Sequence, residues 1–249
     1  MGCVHSTNIL NIKNLKEMTH MENNKSKFWL DKKQRLWKVH KENDPSTITQ
    51  QIQNNTRVCE LSNAEPFLLI PDKIIKIDDY HFGIRSPLAE TDLFDILHRP
   101  FNIDLIAKGL ENIRQAIHFL HSNGIAHRDI KTENIIITNG MFKLIDFDFA
   151  LQSKHFHLCG TLGYICPFHE EWSCSESEKS ERMDYYAFGI VIWHIFYQAS
   201  IHKMIRFDSR DSSVSLDVNF FNQKVFTKSP WKELATIAQN CCKKIPMLK

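Results

Sequence analysis

The sequence predicts an α+β fold in which a small antiparallel β-sheet precedes a larger, mainly helical region. Alternating apolar residues separated by polar turns indicate strands within residues 8–41 and 67–84. Apolar residues that recur every three or four positions across residues 102–122 indicate an amphipathic helix. Residues 184–197 are almost wholly apolar and too few to cross a bilayer, which indicates a second, buried helix.

The same patterns assign the remaining segments. Residues 46–62 indicate a helix between the two strand-rich stretches, and residues 231–242 indicate a closing amphipathic helix. The acidic, serine-rich stretch 170–181 indicates an exposed loop.

Composition narrows the class of protein. The 249 residues suffice for one or two domains, and the 43% hydrophobic share can fill a sizeable core. A formal net charge of +2 argues against a dedicated nucleic-acid binder. The seven cysteines are scattered without a C-x-x-C pair, and no apolar stretch follows a basic start as in a secretory signal. We therefore expect a reducing, cytoplasmic environment.

The first six residues fit the M-G-x-x-x-[ST] acceptor pattern for N-myristoylation at Gly2. Cys3 is a candidate for palmitoylation beside it. One acyl chain binds membranes weakly, but a second chain or the basic residues between 13 and 41 would strengthen the attachment. We expect residues 1–7 to be a lipidation and targeting segment at the inner face of a membrane; the alternative is a chance match.

The side chains that could bind a metal ion or take part in catalysis cluster around a predicted hairpin. Two apolar runs, 135–138 and 141–145, flank Asn139-Gly140, a dipeptide typical of tight turns because both positions tolerate positive φ. The hairpin would hold the loop before it beside the loop after it. Together these loops carry two carboxylates, one amide and one ammonium group: Asp129, Asp146, Asn134 and Lys131. Such a set suits a divalent cation with phosphate oxygens.

Three motifs around this hairpin resemble the eukaryotic protein kinase family. Residues 127–134, His-Arg-Asp-Ile-Lys-Thr-Glu-Asn, match the catalytic loop H-R-D-x-K-x-x-N at every fixed position. Asp146-Phe147-Asp148 resembles the metal loop D-F-G, with Asp148 in place of glycine. Residues 160–168 resemble the platform under the peptide substrate, with Phe168 replacing its final glutamate.

The resemblance implies a two-lobed, monomeric kinase fold, with residues 8–86 as the small lobe and 87–249 as a truncated, mainly helical lobe. It implies transfer of the ATP γ-phosphate to a hydroxyl of a protein substrate with the help of Mg²⁺. Thr161 and Lys131 indicate the serine/threonine type.

The resemblance also assigns roles to individual residues. Asp129 would orient the substrate hydroxyl and accept its proton, and Lys131 would stabilise the transferred phosphoryl group. Asn134 and Asp146 would hold Mg²⁺. Lys38, in the strand Leu-Trp-Lys-Val, would bind the α- and β-phosphates of ATP. Structural support is implied for three further residues: Arg128, Thr161 and Asp184, which tethers the backbone of the catalytic loop.

The chain departs from the family pattern in its first third. No glycine lies between Gly2 and Gly83, so the usual glycine-rich loop over the phosphates is missing. The helix predicted at 46–62 should carry a glutamate paired with Lys38, but Glu60 is the only acid within reach of the region. Either Glu60 forms this pair after a register shift or the pair is missing.

Asp148 leaves two further outcomes open. If it faces the metal it would add affinity for the cation, and if it faces Asp146 it would repel that residue. These departures support an alternative function: a weak or inactive pseudokinase that acts as a membrane-associated interaction scaffold.

Overall fold

The computed structural model describes residues 15–18, 26–61, 66–152, 157–167, 169–201, 227 and 231–242. The candidate lipid acceptors Gly2 and Cys3, and also Phe168, lie outside the described residues. The turn expected at 19–25, where a phosphate-covering loop would lie, also falls outside them.

The first half of the described chain is built on a five-stranded antiparallel sheet with the order β1-β2-β3-β5-β4. Its strands are β1 (Lys16–Glu17), β2 (Ser26–Leu30), β3 (Arg35–Lys41), β4 (Lys73–Lys76) and β5 (His81–Pro87). β3 is the central strand, and in its register Lys38 lies between Phe28 of β2 and Ile84 of β5.

The separate strand predicted at 67–70 is wrong. Only Leu68 makes a bridge, to Leu144, and the backbone N–H of Leu144 donates to the carbonyl of Phe67 at 2.8 Å. The apolar residues 67–70 therefore pack against the second half of the chain, and Leu68 is buried in the main core.

Helix α1 (Pro45–Cys59) packs against the sheet where the sequence predicts a helix. Asp44 caps its first turn by accepting from the backbone N–H of Ser46 at 3.0 Å, and proline at the first position suits the helix start. Ile48 packs with Ile74, Phe82 and Ile84 of the sheet. The helix also buries three polar side chains, those of Gln51, Asn54 and Asn55, together with the apolar Val58.

The second half is mainly helical, which confirms the predicted α+β class. Its helices are α2 (Leu93–Leu97), α3 (Ile103–Ser122), α4 (Glu176–Ile201) and α5 (Trp231–Cys242). Two small sheets accompany them: β6 (Thr91–Asp92), β8 (Ile135–Thr138) and β9 (Met141–Leu144) in one, and β7 (Ile125–Ala126) with β10 (Leu151–Gln152) in the other. The main hydrophobic core lies between α3, α4, α5 and the β8–β9 hairpin.

The predicted hairpin is confirmed. β8 and β9 pair antiparallel from Ile135↔Leu144 to Thr138↔Met141. Asn139 and Gly140 have φ values of 51° and 70°, and positive φ at both central residues is what a two-residue type I′ turn requires. The hairpin packs on α3 at Gly109, where a Cβ atom would stand 2.3 Å from the ring of Phe142.

Helix α4 begins eight residues before the predicted apolar segment, so the loop expected across 170–181 is wrong in its second half. Ser175 and Glu178 explain the difference, because each side chain accepts from the other's backbone N–H, at 3.3 and 3.0 Å. This reciprocal capping starts a helix in an otherwise polar segment. None of the helices in the described part of the chain is both long and apolar enough to cross a membrane.

Candidate active site

The catalytic loop forms a closed ring of polar contacts around Asp129, whose side chain is buried. Thr161 donates its hydroxyl hydrogen to Asp129 Oδ1 at 2.7 Å, and Lys131 Nζ lies 3.0 Å from Asp129 Oδ2. Lys131 also donates to Thr161 Oγ1 at 2.8 Å. Asn134 Nδ2 donates to the backbone carbonyl and to Oδ2 of Asp129, at 2.8 and 3.0 Å. The sequence predicted Asp129, Lys131 and Asn134 for one site, and the structure brings them into direct contact. Thr161, which the resemblance implied as structural support, joins them.

Asp184 fixes the backbone at the start of this loop, as predicted. It is 1% exposed and accepts from the backbone N–H groups of His127 and Arg128 at 2.8 and 2.7 Å. Arg128 has a φ of 71°, an unfavourable value for a non-glycine residue, so an external restraint is needed to hold it.

A histidine missed by the sequence analysis completes the Asp184 site. His121 Nε2 lies 2.8 Å from Asp184 Oδ2. Burial opposes the charged form of Asp184, but the hydrogen bond and charge of His121, with His127 and the Arg128 N–H, outweigh it and lower the pKa of Asp184. The position of His121 in the last turn of α3, directly before the catalytic loop, was the available signal.

The metal loop lies directly beside the catalytic loop. The backbone N–H of Ile145 donates to the carbonyl of Asn134 at 3.0 Å, and His127 Nε2 lies 2.9 Å from the carbonyl of Ile145. Asp146 follows with a φ of 68°, which turns its side chain out of the β9 strand direction. The predicted neighbourhood of Asn134 and Asp146 is therefore present.

Asp146 fits the role of a metal ligand. Its Oδ2 accepts from Lys38 Nζ at 2.7 Å, while its buried Oδ1 has no hydrogen-bond donor among the described residues. Burial opposes ionisation of Asp146, but the charges of Lys38 and His40 and the hydrogen bond from Lys38 lower its pKa, so it is a carboxylate. Within the described residues, no group of three or more His, Cys, Asp or Glu side chains is arranged so that it could hold a metal ion. One carboxylate with an amide oxygen is instead the sparse set that suits Mg²⁺ already held by phosphates.

Lys38 lies on the central strand with two acids in front of it. Its Nζ is 2.7 Å from Asp146 Oδ2 and 3.7 Å from Asp148 Oδ2. Burial lowers the pKa of Lys38, but the charges of Asp146 and Asp148 raise it further than burial lowers it, so the group is an ammonium. Glu60 is the exposed residue that ends α1. Of the two alternatives for Lys38, an ion pair with Glu60 is therefore wrong, and the carboxylates that pair with Lys38 are those of the metal loop.

Asp148 makes contacts that the sequence analysis did not predict. Its side chain is buried and accepts from Asn55 Nδ2 at 2.8 Å, and Asn54 Nδ2 donates to its backbone carbonyl at 2.7 Å. Its Oδ2 lies 3.2 Å from His40 Nδ1. Burial and the negative charge of Asp146 raise the pKa of Asp148, whereas the charge of Lys38 and the hydrogen bond from Asn55 act in the opposite direction. The sequence does contain a signal for these contacts. Amides stand on α1 where the family carries an acid, and an acid stands in the metal loop where the family carries glycine.

The segment after the metal loop returns to the catalytic loop at Gly160. Its φ is +116°, and a Cβ atom there would stand 2.6 Å from the carbonyl oxygen of Arg128. The guanidinium of Arg128 donates to the backbone carbonyl of His157 on the same segment. Leu162, one residue beyond the Asp129 ring, is 90% exposed. Gly160 and Arg128 thus hold residues 157–162 against the catalytic loop, and the exposed Leu162 lies beside the site.

Comparison with known proteins agrees with this geometry. A family model described as "Protein kinase domain" matches residues 16–247. The chain is 35% identical over 133 residues to serine/threonine-protein kinase PSK2 of Saccharomyces cerevisiae, a match that covers 49% of this chain and 12% of that protein. It is 28% identical over 193 residues to the liver/testis phosphorylase b kinase gamma catalytic chain of Mus musculus, covering 70% of this chain and 45% of the relative. It is also 28% identical over 152 residues to a Caenorhabditis elegans protein described as cAMP-dependent protein kinase, catalytic subunit-like, covering 59% and 37%. Each match spans less than half of the relative's own length.

Proposed function

This chain belongs to the protein kinase family, and from that premise we propose that it transfers the γ-phosphoryl group of ATP to a serine or threonine hydroxyl of a protein substrate. The observation that carries the proposal is the closed ring of Asp129, Lys131 and Thr161 beside the metal loop. A scaffold protein has no physical need for this buried arrangement of charges, because burying charged groups is costly even when they are paired.

Asp129 supplies the group that deals with the substrate proton. Its carboxylate is held by Thr161 and Asn134, so it orients the attacking hydroxyl and receives its proton as the new O–P bond forms and ADP leaves. Lys131 lies 3.0 Å from the same carboxylate and offers its positive charge to the transferred phosphoryl group.

Asn134 and Asp146 would hold Mg²⁺, which supplies charge neutralisation at the β- and γ-phosphates. The free Oδ1 of Asp146 is the atom available for this contact. Asn134 uses its amide nitrogen on Asp129, which leaves its oxygen for the cation. Lys38, 2.7 Å from the other oxygen of Asp146, would bind phosphate oxygens next to the metal.

The proposed serine/threonine preference rests on Lys131 and Thr161 and on the similarity to the yeast serine/threonine-protein kinase PSK2. Because Thr161 occupies one side of Asp129 and Leu162 is exposed next to it, we infer that a substrate peptide passes over this segment.

Radiolabelled phosphate transfer to a generic basic protein tests the proposal. Removal of a general base costs about 10²–10⁴-fold, so we expect Asp129→Asn to lower the rate by at least about 10²-fold. Asp79→Asn, a change of an exposed carboxylate outside the site, is the matched control and should leave the rate unchanged.

Nucleotide binding is measured separately by thermal melting with Mg²⁺-ATP. At about 100 times Kd a ligand adds about 2.7 kcal/mol, which raises the melting temperature of a chain of this size by roughly 5–10 °C. Asp146→Ala should abolish the Mg²⁺-dependent part of that rise. No rise with the wild type, together with no phosphate transfer, would refute the kinase proposal in favour of an interaction scaffold.

A further inference from the structure

If Asp146 binds a metal ion, the Lys38 ammonium group needs a second negatively charged partner. The ammonium group is largely buried, and its shortest contact is the 2.7 Å pair with Asp146. The proposed function assigns Asp146 to Mg²⁺, and a carboxylate engaged by a divalent cation is a weaker partner for an ammonium group. A buried ammonium without a second counter-charge is costly.

Helix α1 does not supply that second charge. Its buried polar face consists of Gln51, Asn54 and Asn55, all of them uncharged amides. Glu60 lies at the exposed C-terminal end of the helix. The counter-charge must therefore come from another element.

Asp148 is in place to provide it. Its Oδ2 lies 3.7 Å from Lys38 Nζ and 3.2 Å from His40 Nδ1, and it is the second carboxylate facing the Lys38 ammonium group. Its Oδ1 accepts from Asn55 Nδ2 at 2.8 Å, while Asn54 Nδ2 holds its backbone carbonyl at 2.7 Å. Asn55 is 1% exposed and its Nδ2 also donates to the carbonyl of Gln51 at 3.0 Å, which fixes the direction of the amide.

This arrangement connects three elements through one carboxylate. α1 holds residue 148 by its main chain and by its side chain, and residue 148 faces the lysine on the central strand. A shift of α1 would therefore move the Asp148 carboxylate that faces Lys38.

We propose that Asp148 is a positioning residue whose carboxylate, tethered to α1 by Asn55, holds Lys38 toward the nucleotide phosphates while Asp146 binds the metal. The proposal rests on the proposed function, and it assigns to the metal loop a task for which α1 carries no acid. It also gives Asp148 a role other than binding the cation or merely repelling Asp146.

A double-mutant cycle between Asp148 and Lys38 tests this role, with kcat/KM for ATP as the readout in the full chain. Asp148→Asn keeps the shape of the side chain and removes its charge, and we expect kcat/KM for ATP to fall at least tenfold with an unchanged KM for the protein substrate. In a Lys38→Met background the same change should have less than a twofold further effect, because the group that Asp148 positions is gone. An equal loss in both backgrounds would identify a merely structural residue and overturn the proposal, as would a loss under twofold in the wild-type background.

Asn55→Ala removes the same contact from the side of α1, and it tests the proposal even if Asp148→Asn fails to fold. It should lower kcat/KM for ATP in the same direction, whereas Gln53→Ala, an exposed change on the same helix, should not. An unchanged kcat/KM for ATP in a folded Asn55→Ala protein would refute the claim that Asn55 holds Asp148 in place.

Failure of the underlying function gives a different result. If Lys38→Met alone leaves ATP-dependent transfer intact, Lys38 is not a phosphate ligand and the proposed function is wrong at that residue. If Lys38→Met lowers transfer while Asp148→Asn does not alter it, the function stands and only the role of Asp148 falls.

Discussion

Replacing Asp184 by asparagine should loosen the catalytic loop and the whole second half of the protein. The carboxylate accepts three hydrogen bonds, at 2.7 Å from the Arg128 N–H, 2.8 Å from the His127 N–H and 2.8 Å from the His121 ring. An asparagine offers a single oxygen, so its NH₂ group must face one of these donors. That contact leaves a buried N–H group without an acceptor.

The size of the effect follows from those contacts. A buried donor without a partner costs about 1–3 kcal/mol, and the remaining hydrogen bonds lose their charge assistance. We therefore expect a loss of about 2–4 kcal/mol in the free energy of unfolding, and a melting temperature lower by roughly 5–15 °C. Because Arg128 is held at a positive φ by this site, phosphate transfer should fall as well.

Urea unfolding of the wild type and of Asp184→Asn measures this loss, with Asp79→Asn as a surface control. The pKa of Asp184 is lowered in the folded protein, so its contribution to stability is complete above its ordinary value of 3.8 and is lost as the pH falls below it. The difference in unfolding free energy between wild type and variant should therefore be constant near neutral pH and shrink below about pH 4. A variant within about 0.5 kcal/mol of the wild type at pH 7, or a difference that grows on acidification, would refute the reasoning.

Three further substitutions have defined outcomes. Gly160→Ala places a Cβ atom 2.6 Å from the carbonyl oxygen of Arg128 at a φ of +116°, so kcat/KM for transfer should fall about tenfold or more as the segment shifts; unchanged kinetics would contradict the close seating. Gly109→Ala gains about 1 kcal/mol of helix propensity but forces the buried ring of Phe142 to move from 2.3 Å, an overpacking cost of about 1–3 kcal/mol. The net result should be a lower unfolding free energy in urea titrations, and a more stable variant would show that the ring relaxes freely. Ser175→Ala removes the reciprocal cap of α4 and should cost about 1 kcal/mol by the same measurement, with no change in the KM for ATP.

Local signals predicted most of the second half of the chain. The Asn139-Gly140 turn, the periodicity of α3 and the eight residues of the catalytic loop each determine a structure within a few residues of themselves. The contacts of Asp129 with Lys131 and Asn134 follow from that loop, because these residues lie within five positions of Asp129, whereas Thr161 is 32 positions away.

Long-range partners could not be predicted in the same way. The contact of Asn55 with Asp148 joins residues 93 positions apart, and that of His121 with Asp184 joins residues 63 apart. No periodicity or spacing encodes such pairs, so the sequence left open whether Lys38 pairs with Glu60 or lacks this ion pair. The start of α4 was missed for another reason, since reciprocal capping by Ser175 and Glu178 starts the helix in a segment with little apolar pattern.

Ile145 joins the two loops of the site by both of its backbone groups. Its N–H donates to Asn134 and its carbonyl lies 2.9 Å from the His127 ring, so neither loop can be displaced without breaking a bond to the other. The two loops should therefore move as one rigid unit, and we expect any opening for the proposed nucleotide on the side of the sheet and α1. In native-state hydrogen exchange the amide of Ile145 should accordingly be among the last of the site to exchange its proton.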